Sequence, residues 1–414
     1  MMKFSQPHQR RYFGIQALIF ATLLVMGAMP LAAQAQATES PQSWIVALDA
    51  DMSGQSAIAG QAIRRGALLA MDAINAEGGI HGIPLSLRVS DHRANPARAE
   101  YNIRQHVEDG QVIALLGGMH TPAAMAQVPI AHQHRLPFLI PWAAGTPIVD
   151  NGLEPNPVFR ISLRDSEAGP FLVQSALRAG HRRLGMLLEN TAWGRSNFKA
   201  MSEAAATLQL EQPLVEWFQW GEKDLGNEIE RLHRNGATAI LLVANTNEGL
   251  IAARAMAARP STERLTLFSH WGISGGTFGQ QAADILPSLD LQVLQTFSFA
   301  RPPFPERAAA LAAAYQRRFG EGDPATTLAA APGVAHAYDL IQVLATAMRS
   351  MPVIERGALI TALEEVGGHQ GIMADYDPVF SPRRRDALSP AVYLLTAFDT
   401  NGTLQPVPPT TDLP

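Results

Sequence analysis

The sequence predicts an α/β fold of two doubly wound lobes built on parallel sheets, and three observations carry that expectation. Strand-length apolar runs alternate with longer helix-period segments, the pattern of parallel sheets covered by helices on both faces. The alternation runs twice, on either side of a Pro/Gly/Asn-rich break, "GTPIVDNGLEPNP" over 145–157. The chain's 414 residues also exceed what one compact core holds.

In chain order, strands are expected at "WIVALDA" (44–50), "IPLSLRVS" (83–90), "VIALLGG" (112–118) and "LPFLIPW" (136–142). A second series follows at "RLGMLLE" (183–189), "LVEWFQW" (214–220), "ATAILLVA" (237–244) and "LTLFSHW" (265–271). Between the first two strands, Ile63, Ala67, Met71 and Ile74 recur at helical spacing and the segment stops at Gly78-Gly79. The break at 145–157 marks the passage from one lobe to the next. The helical segments "ERAAALAAAYQRRFG" and "APGVAHAYDLIQVLATAMRS" must then pack back on a lobe, "AVYLLTAF" is strand-like, and the Pro-rich end "QPVPPTTDLP" reads as a frayed tail.

Composition is that of an ordinary globular protein, 47% hydrophobic and 17% charged. The N-terminus differs in kind. Lys3, Arg10 and Arg11 precede an apolar run that ends in small residues, "AQAQA", the layout of a cleavable export signal over residues 1–37. "RRYF" fits a twin-arginine pattern, but any such basic region contains paired arginines, so ordinary Sec export is expected. Without cysteine there is neither a disulfide nor a lipid-anchored cysteine, so the expectation is a soluble periplasmic protein and not a lipoprotein. The signal holds three Lys/Arg and no acid, so its removal takes the formal charge from −5 to −8 and makes nucleic acid an unsuitable partner.

In open parallel sheets ligands bind beyond the carboxyl ends of the strands. Trp142 and Trp271 each end a predicted strand and Trp193 follows one, which places all three on that loop face. A tryptophan near a strand end also serves as half-buried packing, and Trp217 and Trp220 in "EWFQW" are read that way. Polar groups on the same face are His120 and Thr121 in "GGMHTP", Asn245 in "ANTNEG" and His270. The turn into "HTPAAMAQ" offers helix-start amides to a carboxylate, while Thr121 can also cap that helix. No H-E-x-x-H or Walker motif is present, and Gly272, Gly275, Gly276 and Gly279 do not form a dinucleotide fingerprint, so a tight or mobile loop is expected there. His132 to Arg135 suits a helix C-terminus, and His336 with Asp339 reads as a surface or capping pair. No metal, cofactor or catalytic group is expected.

"DMSGQSAIAGQAIRRGALLAMDAINAEGGIHGIPLSLRVSDHRANPARA" (51–99), "LPFLIPWAAGTP", "ENTAWGRS" and "AHAYDLIQVL" resemble the branched-chain amino-acid binding proteins, the Leu/Ile/Val type of periplasmic solute-binding protein. The resemblance covers nearly all of the chain after the signal. It implies a type I periplasmic binding fold, two lobes joined by three crossing segments, closing on a small ligand and delivering it to an ABC permease without catalysis. On that pattern lobe 1 takes 40–162 and 300–372, lobe 2 takes 163–299 and 373–405, and 406–414 is a tail; a monomer is expected. The ligand site implied is His120, Thr121, Trp142, Ala143, Ala144, Trp193, Asn245, His270 and Trp271.

Several of these positions depart from the family pattern. Ala123 and Ala124 stand where serine hydroxyls hold the ligand carboxylate, and Trp142-Ala143-Ala144 loses a threonine. Trp193 replaces a tyrosine, Asn245 an aromatic residue, and Trp271 the acid that holds the ligand's ammonium. Losing these charge-assisted hydrogen bonds disfavours leucine-like zwitterions. The expected ligand is an aromatic or apolar carboxylate, with a quaternary amine in a tryptophan cage as the alternative. A sensor of the same fold that signals to a membrane partner is the competing function. An exported enzyme would require an acid shared by His120 and His270.

Overall fold

Strand β1 (Trp44–Ala50) lies between β2 and β3 in a five-stranded parallel sheet in the order β2-β1-β3-β4-β5. The other strands of this sheet are β2 (Leu85–Asp91), β3 (Val112–Gly117), β4 (Phe138–Ile140) and β5 (Val158–Arg160). A second sheet runs β14-β13-β10-β9-β8-β6-β7. Its parallel part is β6 (Leu184–Glu189), β7 (Leu214–Phe218), β8 (Ala239–Val243), β9 (Thr266–Ser269) and β10 (Leu291–Gln295). A small hairpin, β11 (His369–Gln370) with β12 (Asp375–Tyr376), precedes β13 (Leu394–Phe398) and β14 (Leu404–Pro406), which extend the second sheet antiparallel. This architecture is a computed structural model that describes residues 42–408 except 321, 325–327 and 329. The export signal expected over 1–37 and the end of the tail lie outside the described residues. Among the described residues no helix is long and apolar enough to cross a membrane.

Each sheet becomes the spine of one lobe because its central strands are apolar on both faces. β3 and β8 are buried at every residue, which leaves each strand two faces to cover with helices. In the first lobe the helix Ala57–Ala76 packs on the helix Ala331–Arg349, so the late helical segment returns to the early lobe. The first of these ends just ahead of Gly78-Gly79, as the sequence predicts.

All eight strands predicted in the two series are present, most of them shorter by one to four residues. Those the sequence reading missed carry polar residues. β5 holds the fully buried Arg160, and β10 is interrupted by Gln292 and Gln295. The supposed frayed tail begins with β14, whose Pro406 is tolerated because the strand lies at the sheet edge. The break at 145–157 comes before β5, which still pairs with β4, so the chain leaves the first sheet after Arg160 rather than at the break.

Arg160 explains that geometry. Its guanidinium, fully buried, pairs with Asp386 and donates to the carbonyls of Ala143 (3.2 Å) and Gly145 (2.9 Å). Arg164 donates to the other oxygen of Asp386 at 2.9 Å. The turn after β4 is thereby tied to two of the segments that pass between the lobes.

Candidate ligand-binding cleft

The carboxyl ends of both parallel sheets face one another across a cleft, and the loops that leave them meet there. From the first lobe come Met119, His120, Thr121 and Pro122 after β3, and Trp142, Ala143 and Ala144 after β4. From the second come Glu189 at the end of β6, Trp193, Trp220 after β7, Asn245 after β8, and Trp271 and Gly272 after β9. Eight of the nine sequence-predicted residues line this cavity. His270 does not; it lies behind the lining, fully buried.

Trp142 and Trp271, one from each lobe, stack with ring centroids 4.5 Å apart and planes 16° from parallel. The cavity beside them measures about 20 Å³, room for roughly one water. Two hydrogen bonds also cross the cleft, from the amide of Asn247 to the Gln55 side chain and from the amide of Thr146 to the Ser196 hydroxyl, each 3.1 Å. A groove of about 780 Å³ elsewhere, bordered by Phe171, Arg178 and Tyr393, contains none of the indoles.

Local backbone chemistry sets the indoles in place. Thr191 caps the helix Ala192–Thr207 through the amides of Trp193 and Gly194, which aims Trp193 at the cleft. A Cβ on Gly194 would lie 1.8 Å from the Glu189 carbonyl, and one on Gly272 would lie 2.5 Å from the Trp193 ring. The glycine-rich loop is tight rather than mobile: residues 271–275 form a buried 3-10 turn. Thr121 does not cap its helix. Its hydroxyl accepts the Gly145 amide at 3.2 Å and so joins the β3 and β4 loops.

Each histidine has its own acid. His120 Nε2 lies 3.6 Å from Asp51, and His270 Nε2 lies 3.2 Å from Asp165. Asp165 also accepts Trp193 Nε1 at 3.2 Å and donates its own amide to Ala144, so it braces both lobes' loops from behind. Burial acts to raise Asp51, but His120 and the amides of Ser56 and Gly54 outweigh it and hold the carboxyl below the usual range. Among the described residues no acid is shared between His120 and His270. His336 and Asp339, expected at the surface or as a cap, are both fully buried. His336 bridges the Pro141 carbonyl (2.8 Å) and the Thr296 hydroxyl (2.9 Å); burial lowers its pKa to about 4. Asp339 holds the amides of Ile372 and Met373 and the Tyr376 hydroxyl.

Two lining residues were misjudged or missed. Trp220, read as packing, stands two residues beyond β7 and lines the cavity, whereas Trp217 does pack, against Phe198 at 5.8 Å. Glu189 lines the cavity although it is not among the residues the sequence singles out. The signal was available: a single acid closing the otherwise apolar "LGMLLE".

A family model described as periplasmic binding protein matches residues 45–398. The chain belongs to the periplasmic binding protein family. As a member it is a binding protein and not an enzyme, and its two lobes have the type I periplasmic binding fold. A Leu/Ile/Val-binding protein homolog 3 of Brucella melitensis is 24% identical over 238 residues, 56% of this chain. The match spans 64% of that relative, less than two thirds of its length. A periplasmic binding protein type 1 from Bordetella pertussis superposes with a TM-score of 0.80 at 22% identity, over 88% of this chain and all of that one. An ABC transporter solute-binding protein from R. palustris, solved with benzoate, gives 0.71 at 17%, over 88% and 95% of the two chains. At such identities the structural likeness concerns the fold of this periplasmic binding protein.

Proposed function

We propose that this periplasmic binding protein is the solute receptor of an ABC transporter of the branched-chain amino-acid type, exported to the periplasm and handing its ligand to a membrane permease. One observation carries the reading: the Trp142–Trp271 stack joins the two lobes across the cleft, so a flat solute has two indole faces to enter between. Stacked aromatic pairs contribute about 0.5–1.5 kcal/mol beyond area burial, a contact that a ligand ring can replace on both sides. The relative named for Leu/Ile/Val and the benzoate-binding receptor support a small organic solute. The aromatic or apolar acid expected from the sequence keeps its ring in this reading. Its charge has less support, because the cavity holds the Glu189 carboxylate.

A thermal-shift and tryptophan-fluorescence panel of amino acids, aromatic acids and quaternary amines tests the receptor. A ligand that binds the folded state raises Tm and disturbs the indoles. If no solute changes either signal or the separation of the lobes in solution scattering, the receptor reading fails.

A further inference from the structure

Glu189 ends β6 with its carboxylate fully buried at the cavity. One oxygen accepts the Thr191 hydroxyl at 2.5 Å; the other accepts Trp220 Nε1 at 2.8 Å and Asn245 Nδ2 at 2.9 Å. These donors come from the start of the next helix, from the β7 loop and from the β8 loop, and all are neutral. The remaining charged group on the second lobe that acts on it is Glu248, which adds repulsion. Across the cavity His120 lies edge-on to Trp220, 6.0 Å between ring centroids, and is paired with Asp51 rather than with Glu189. Burial first, then Glu248, raise the Glu189 carboxyl to about 7.

A buried carboxylate held only by neutral donors is costly to ionise, and a cation facing it removes that cost. The same small cavity is lined by four indoles, the side chains that attract cations most strongly. Two separate features therefore call for the same kind of charge. Resting on the receptor reading, we propose that the cleft takes an organic cation, its positive centre among Trp142, Trp193, Trp220 and Trp271 and opposite Glu189, which selects ligand charge.

The cation parts the Trp142–Trp271 stack on entry and keeps Glu189 ionised once bound. Its affinity therefore falls as pH drops below about 7, the value at which the empty site takes up a proton. Between pH 8 and pH 5.5 the loss is roughly thirty-fold.

Calorimetric titration with choline and with its neutral carbon isostere, 3,3-dimethylbutan-1-ol, tests this at both pH values, alongside benzyltrimethylammonium against benzoate. The expected result is at least tenfold preference for each cation at pH 8 and the pH loss for the cations. Glu189→Gln should abolish both while the far-UV spectrum stays native. Trp220→Phe, which keeps a ring and removes one donor, should weaken the cations and retain their preference. Equal affinity for choline and its isostere, preference for benzoate, or silence towards every cation overturns the organic-cation assignment. Benzoate binding that raises Tm would do so while leaving the receptor standing.

Discussion

Trp142 and Trp271 stack face to face across the cleft, 4.5 Å between centroids, and join the loop after β4 of one lobe to the loop after β9 of the other. The two indoles are 5% and 1% exposed and belong to the hydrophobic cluster that runs through both lobes. They are cleft walls and interlobe core at once. Trp271→Phe keeps an apolar ring and shortens the stack, so we expect a loss of about 1 kcal/mol, an altered near-UV spectrum and a larger radius of gyration in solution scattering. An unchanged radius together with an unchanged near-UV band would show that the stack does not hold the lobes together.

Glu189 also makes a prediction about stability. Its carboxyl rises from 4.5 to about 7 on folding, so its favourable contribution is complete below pH 4.5 and is lost as pH climbs through 7. Glu189→Gln removes that dependence. The substitution should therefore stabilise the protein at pH 8 relative to pH 5, by up to about 3 kcal/mol in denaturant titrations. Equal effects at the two pH values would contradict the burial of an ionisable group there.

Arg160 is the support under Trp142. Its guanidinium pairs with Asp386 and holds the carbonyls of Ala143 and Gly145. Arg160→Met strands a buried Asp386, although Arg164 still reaches that carboxylate, and frees the β4 loop. Breaking a buried pair in this way costs about 3–5 kcal/mol. We expect that loss in urea titrations and a red shift of tryptophan emission; a blue or unmoved spectrum would remove Arg160 from the account of the cleft.

Gly272 offers a steric test. A methyl group there would meet the Trp193 ring at 2.5 Å and the Ala244 carbonyl at 2.4 Å, and backbone cannot retreat as a flexible side chain does. Gly272→Ala should cost about 1–3 kcal/mol and displace Trp193 from Asp165. Ligand affinity measured by fluorescence should fall at least tenfold, and wild-type affinity would show that the Trp193 position is not needed.

His336 sets a fifth expectation, with the opposite sign from Glu189. Buried and neutral, it has a pKa lowered from 6.5 to about 4, so the stability it contributes is present above 6.5 and is lost as pH falls through 4. His336→Leu leaves the Pro141 carbonyl without its donor and should cost about 1–3 kcal/mol at neutral pH, yet flatten the acid limb of the stability profile. An unaltered acid limb would mean that another group dominates it.

The strand series, the lobe repeat and the loop-face position of Trp142, Trp193 and Trp271 were legible in the sequence because they follow from local periodicity. An apolar run of strand length bounded by turn residues has one economical fate, and parallel sheets present their ligands to one end of the strands. The elements that escaped notice carry their polar residues inward. Arg160 in β5 and Gln295 in β10 look like surface positions until tertiary partners are counted, and β14 takes its strand character from pairing with β13.

By itself the sequence determined the fold, the family pattern and the set of loops that converge. Only the tertiary structure decided which side chains share the cavity. It turned Trp220 inward, withdrew His270 behind Trp193 to Asp165, set Trp142 against Trp271, and brought Glu189 to the lining beside Trp220 and Asn245. The physical reason is range. Periodicity encodes which face of an element is apolar, whereas the charge, hydrogen-bond partners and stacking at a cleft arise between residues tens to hundreds of positions apart, and exist only once two lobes are folded and face each other.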